Sequence, residues 1–111
     1  MTCIQASQRR HLVDASCHSA LLSISGEVDV VNAGELRSAA LRTLCRDGHH
    51  LTLDLSAVTF IDLSGLASLL AVNRRAAALG GSLRLKDPSR SVTRLLELTR
   101  LTGEFETEPS N

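Results

Sequence analysis

The chain has 111 residues, room for one domain with a modest core and little beyond it. Twelve Lys and Arg balance twelve Asp and Glu, and the aromatics are two, Phe60 and Phe105; the composition therefore offers no basic footprint for nucleic acid or an anionic membrane, and no base-stacking platform. Three widely spaced cysteines, Cys3, Cys17 and Cys45, do not make a disulfide framework, residues 1–10 lack an apolar signal core, and no apolar run nears the ~20 residues that span a bilayer, so the expected location is the cytoplasm without membrane insertion.

In chain order, residues 1–9 read as a loose lead-in, 11–15 as a first edge strand and 16–19, small and polar, as a turn. Residues 20–25 (ALLSIS) alternate in part and read as a strand ending at Gly26. Asn32 with Glu35 three residues later has capping-box spacing, and Leu36, Ala40 and Leu44 then mark one face of a helix closed by Gly48. Residues 50–55 (HLTLDL) alternate as a strand, and 58–61 form a short apolar segment leading to a polar corner.

From Ser64 a second helix is expected, with Leu66, Leu69, Leu70, Asn73, Ala76 and Ala77 as its buried stripe and Gly80-Gly81 as its end. Residues 82–86 (SLRLK) alternate as a strand. Pro88 stands where a third helix can start, with Val92, Leu95 and Leu96 inward, and a last short strand is expected around Phe105 before a polar tail, 106–111. Strands alternating with helices imply right-handed crossovers and a sheet with parallel pairs, an α/β fold.

The sharpest local feature is Phe60-Ile61-Asp62-Leu63-Ser64-Gly65-Leu66. A strand ends there and a helix begins, so the Ser64 hydroxyl is placed to accept from a backbone N–H as an N-cap. A helix N-terminus also favours negative charge, so a phosphate on Ser64 would be tolerated there. On the residues alone both uses stand open. Asp29 and Asp62 read either as turn-formers or as acidic elements of a contact surface. Cys45, His49 and His50 cluster at a helix end but match no zinc spacing, so no metal is expected. The chain has no G-x-S-x-G elbow, and none of its four His stands out as a general base, so no catalysis is expected. Arg74, Arg75, Arg90 and Arg94 read as solvated helix faces.

Three segments occur in family-like order and spacing: Ser25-Gly26-Glu27-Val28-Asp29, then 53–66 (LDLSAVTFIDLSGL), then 88–99 (PSRSVTRLLELT). Through them residues from about 20 to 105 resemble the STAS family of anti-sigma factor antagonists. The resemblance implies a single STAS-like domain over 1–111, with a core of about 10–106 and polar ends at 1–9 and 107–111. It implies a mixed β-sheet with helices packed on it. It also implies partner switching: Ser64 is phosphorylated by an anti-sigma factor that is a serine kinase, the unphosphorylated form binds that kinase, and a metal-dependent protein phosphatase resets the system. The partner-binding surface would comprise Asp29, Asp62, Leu63, Ser64, Gly65 and Leu66, with no cofactor. Where such proteins often carry a second Ser or Thr, this chain has Leu63, which leaves the phosphoacceptor in place and alters the contact surface. The alternative use of the same fold is a non-switching accessory subunit of a lipid-transport ABC complex.

Overall fold

The computed structural model describes residues 3–14, 17–46 and 49–108, with side chains described from residue 20 onward. The elements are β1 (Cys3–Asp14), β2 (Cys17–Val28), α1 (Ala33–Arg46), β3 (His50–Ile61), α2 (Leu63–Ala78), β4 (Ser82–Lys86), α3 (Arg90–Leu98), a 3₁₀ turn (Thr102–Glu104) and β5 (Glu106–Glu108). The strands form one sheet in the order β1-β2-β3-β4-β5. β1 pairs antiparallel with β2, and β2-β3, β3-β4 and β4-β5 are parallel, so the sheet is mixed as expected.

Each parallel pair needs a crossover, and α1, α2 and the α3–3₁₀ segment supply the three. Right-handed crossovers stepping in one direction across a sheet deposit their helices on the same face. The burial pattern agrees. Leu22 and Ile24 of β2, Leu51, Leu53 and Leu55 of β3, and Leu83 and Leu85 of β4 point into one core with Leu36, Ala40 and Leu44 of α1, Leu69 and Val72 of α2, and Val92 and Leu96 of α3. The residues between them on the strands, among them Ser23, Thr52, Asp54 and Arg84, lie on the open face and are polar.

Several expectations need correction. Of the lead-in read over 1–9, residues 3–9 belong to β1, because a polar strand can be recruited by backbone pairing to β2 alone, and residues 1 and 2 fall outside the described residues. Residues 17–19, expected to form a turn with 16, belong to β2, which begins at Cys17; residues 15 and 16, like the Gly48 stop of α1, fall outside the described residues. The two segments 50–55 and 58–61 are one strand, β3. Between the pairs Ser23–Asp54 and Val28–Ile61, β3 uses seven residue steps against five in β2, with register shifts on either side of the Ser25–Ala57 and Gly26–Val58 pairs. These bulges break the period of two and let Val58 and Ile61, three residues apart, both reach the core.

In α2 the inner stripe runs Leu66, Leu69, Val72 and Ala76. Leu70 and Asn73 are half-buried and Ala77 is exposed, one position past the buried face. Residues 106–108 are not tail but β5, held to β4 by backbone pairing, and Phe105 just before it is buried.

One close approach fixes the join between α2 and β4. A Cβ on Gly81 would stand 1.7 Å from the His49 carbonyl oxygen, which accepts from the Ser82 N–H at 3.0 Å. Gly81→Ala must push two backbones apart and is expected to destabilise by about 2 kcal/mol or more. Gly34→Ala, in α1 with open space around the site, is expected to be neutral or to stabilise by about 0.4–1 kcal/mol. Urea unfolding of the two variants beside the parent checks both signs.

Candidate functional site

The neighbouring parallel strands β2 and β3 end together. Val28 pairs with Ile61, and the Asp62 N–H donates to the Val28 carbonyl at 3.1 Å, so Asp29 and Asp62 leave the sheet side by side although 33 positions separate them. Two loops therefore emerge at one corner, and a helix follows each of them.

The first loop is a tight turn built by its own side chains. The Asp29 carbonyl accepts from Asn32 N at 3.2 Å and from Ala33 N at 2.8 Å. The Asp29 carboxylate accepts from Val31 N at 3.0 Å, the Asn32 amide oxygen accepts from Asp29 N at 2.8 Å, and Asn32 Nδ2 donates to the Glu27 carbonyl at 2.8 Å. Asp29 thus works as an Asx-turn former, with its carboxylate only half-buried.

The second loop is a single residue. Asp62 has extended backbone angles (φ −109°, ψ −173°), and its carboxylate accepts from Gly65 N at 3.1 Å. Asp62 is therefore the N-cap of α2, not Ser64 as the sequence suggested. Asp and Ser are comparable caps, and only the backbone angles decide between candidates two residues apart. Ser64 lies in the first turn of the helix and is half-buried. Leu63, ahead of it, is 66% exposed and faces outward.

Gly65 and Leu66 take a different role from the one expected of them. A Cβ on Gly65 would stand 2.7 Å from Ile61 Cγ1 and 2.8 Å from Val28 Cγ1, so the glycine lets α2 start against the two paired strand ends. Leu66 is 3% exposed and belongs to the core. The accessible members of the expected surface are Asp29, Asp62, Leu63 and Ser64.

Sequence reading missed Ser68. It is buried, and its hydroxyl donates to the Ala33 carbonyl at 2.9 Å, tying the second turn of α2 to the start of α1. A small hydroxyl residue among the apolar positions of an inner helix face was the available signal. Ser89 is the N-cap of α3, accepting from Val92 N at 3.4 Å. The Cys45–His49–His50 cluster holds nothing together: His49 Nδ1 lies 3.2 Å from the Leu44 carbonyl and His50 Nδ1 lies 2.9 Å from the Ser82 hydroxyl. Among the described residues no three His, Cys, Asp or Glu side chains group as metal ligands, and no helix is long and apolar enough to cross a membrane.

This strand-corner-helix geometry matches known proteins. Residues 11–107 match the family described as Mlab, STAS domain. The chain belongs to the STAS domain family. It is 34% identical over 80 residues to the anti-sigma-B factor antagonist of Bacillus subtilis (strain 168), covering 72% of each chain. Its structure is similar to that of an anti-sigma factor antagonist from Mycobacterium paratuberculosis, with TM-score 0.77 and 27% identity over 97% of this chain and 87% of the other. The Bacillus cell fate determinant SpoIIAA in its phosphorylated form shares the fold, with TM-score 0.66 and 17% identity over 95% of this chain and 92% of the other.

The cap assignment in this STAS domain separates two neighbouring residues by experiment. Asp62→Ala removes the acceptor of the Gly65 N–H and is expected to lower stability by about 0.5–2 kcal/mol, and Asp62→Asn to recover most of it. Ser64→Ala is expected to stay within about 0.5 kcal/mol of the parent, since an ordinary surface-type change touches no cap. Chemical unfolding of the three variants reads the difference.

Proposed function

We propose that this STAS domain is an anti-sigma factor antagonist acting in the cytoplasm by partner switching, without catalytic activity of its own. With Ser64 unmodified it binds an anti-sigma factor that is also a serine kinase, which frees a sigma factor. The kinase transfers the γ-phosphoryl group of ATP to the Ser64 hydroxyl oxygen, the hydroxyl proton is lost, ADP leaves, and the complex dissociates. A metal-dependent phosphatase hydrolyses the ester and restores the binding form.

The observation that carries this reading is the position of Ser64. It stands half-buried in the first turn of α2 while Asp62 performs the capping, so the hydroxyl has no structural duty that modification would destroy. Similarity to named antagonists supports the partner class. The physics of release is local. A small neutral hydroxyl can enter a close interface, whereas a phosphate adds a charge of about −1.5 to −2 that must be desolvated on docking. The fold tolerates the added charge because a helix N-terminus attracts it.

A second reading, a non-switching accessory subunit of a lipid-transport ABC complex, is favoured by Leu63. An apolar side chain 66% exposed at the corner suits a permanent apolar contact. The two readings part on phosphate.

Incubation with the kinase and ATP, followed by peptide mass mapping and titration calorimetry, tests the switch. Phosphate is expected on Ser64, and phosphorylation or Ser64→Asp is expected to weaken binding by ~100-fold, about 2.8 kcal/mol. Ser64→Ala is expected to remain bound whether or not ATP is present. Phosphate confined to Ser56 or Ser89, or affinity unchanged after Ser64 is modified, overturns the switch and leaves the accessory-subunit reading. Leu63→Ser is expected to alter affinity while leaving the melting temperature nearly unchanged, because an exposed side chain contributes little to the core.

A further inference from the structure

The described residues include five exposed large hydrophobic side chains, and four of them, Val30, Val31, Phe60 and Leu63, lie on the segments that meet at the corner. Val30 and Val31 are the extreme case, at 75% and 88% exposed. They are the two central residues of the turn from Asp29 to Asn32. Turn centres are normally Gly, Pro, Asn, Asp or Ser, residues that accept the backbone angles and the water around them. A β-branched pair at this place is poorly matched to solvent and gains nothing from the core.

The turn does not need those side chains. The hydrogen bonds from Asp29, Asn32 and the main chain shape it, including the Val31 N–H to the Asp29 carboxylate. The loop is also held against α2 at both ends, by Asp62 N to the Val28 carbonyl and by the Ser68 hydroxyl to the Ala33 carbonyl. Both its ends are therefore anchored at the first turns of α2, the turns that carry Leu63 and Ser64. Valine has one side-chain torsion and loses little rotamer freedom when it is covered.

We propose that Val30 and Val31 form the apolar knob of the partner interface, continuous with Leu63, and that they supply affinity which Ser64 then modulates. The inference rests on the antagonist reading and deepens it. The occupant is the anti-sigma factor kinase, and the chemistry it must present is an apolar socket that covers the valines, with a hydrogen-bond donor at its edge for the half-buried Asp29 carboxylate on the same turn. Apolar anchors beside a charged rim are the usual distribution of interface energy.

The test purifies each anti-sigma factor serine kinase encoded in the source genome and titrates it with four full-length chains: the parent, a Val30→Ser/Val31→Ser double variant, Leu98→Ser and Ser64→Asp. Leu98 is 73% exposed on α3, away from the corner, and controls for loss of any surface apolar group. The double variant is expected to bind at least ~10-fold more weakly with an unchanged melting temperature, and Leu98→Ser to bind as the parent does. A double variant within about twofold of the parent, or no weaker than Leu98→Ser, overturns the proposal. Ser64→Asp binding as tightly as the parent overturns the switch alone, and the valine result still stands or falls by its own comparison. If no kinase binds the parent, the antagonist reading and this surface fall together.

Discussion

Gly65 lies so close to Val28 and Ile61 that a methyl group there would sit 2.7–2.8 Å from their side-chain carbons. That close approach sets where α2 leaves the sheet, and much else follows from it. Val28 and Ile61 are the last paired residues of β2 and β3, so a helix resting on both must begin where the two strands end. The chain then has one residue in which to turn, and Asp62 fills it, spending its N–H on the Val28 carbonyl and its carboxylate on the Gly65 N–H. Ser64 is carried into the first helical turn, and Ser68 into reach of the Ala33 carbonyl. A larger residue at 65 would lift α2 off the strand ends, and the loop beginning at Asp29 would lose the support along which it lies.

What the sequence made legible follows the strength of the local signal. The inner faces of α1 and α3, and the alternation in 20–25, 50–55 and 82–86, are governed by burial against one core, and those elements stand where their periodicity put them. The expected edge strand, 11–15, caught only the end of β1, because a sheet edge takes its strand character from backbone pairing with β2, a long-range partner that local pattern does not reveal. The last short strand, expected around Phe105, lies one residue further on as β5 and extends into what read as the tail, for the same reason. Its three residues are all exposed and pair with β4, and the contacts of Arg84 with Glu106 at 3.6 Å and Glu108 at 3.9 Å are surface pairs that add little. β3 looked like two pieces because its bulges reset the phase.

The site was legible in a different way. Similarity of motif pointed to Asp29, Asp62 and Ser64, and strand register explains why residues so far apart share a corner. The division of labour among them was not legible. Ser64 and Asp62 are both good caps by type, and choosing between them requires the extended backbone at 62. Gly65 and Leu66 follow the serine in sequence, but a helix rotates about 100° per residue, and two steps carry a side chain from the rim into the core. The valine pair gave no periodic signal, because two apolar residues in a row look alike whether they end a strand or tip a turn.

The arrangement separates what holds the fold from what would hold a partner, and magnitudes say why that matters for a switch. A charge at a helix N-terminus changes stability by about 0.3–1 kcal/mol, and the effect is screened by salt. A desolvated phosphate in an interface acts on binding several times more strongly. On the proposed switch, modification at Ser64 would therefore be read out in the complex rather than in folding, because the cap of α2 is made by Asp62 and not by Ser64. For such a change to empty the complex, the working concentration must lie between the two dissociation constants, about 1 μM and 100 μM for a complex of roughly −8 kcal/mol weakened by ~100-fold. An affinity supplied wholly at Ser64 could not be placed in that window independently of the phosphate effect. Under the proposed reading, apolar contact at Leu63 and at the Asp29 turn could be strengthened or weakened without touching Ser64, so the resting affinity and the size of the switch would be set separately on one corner of the sheet.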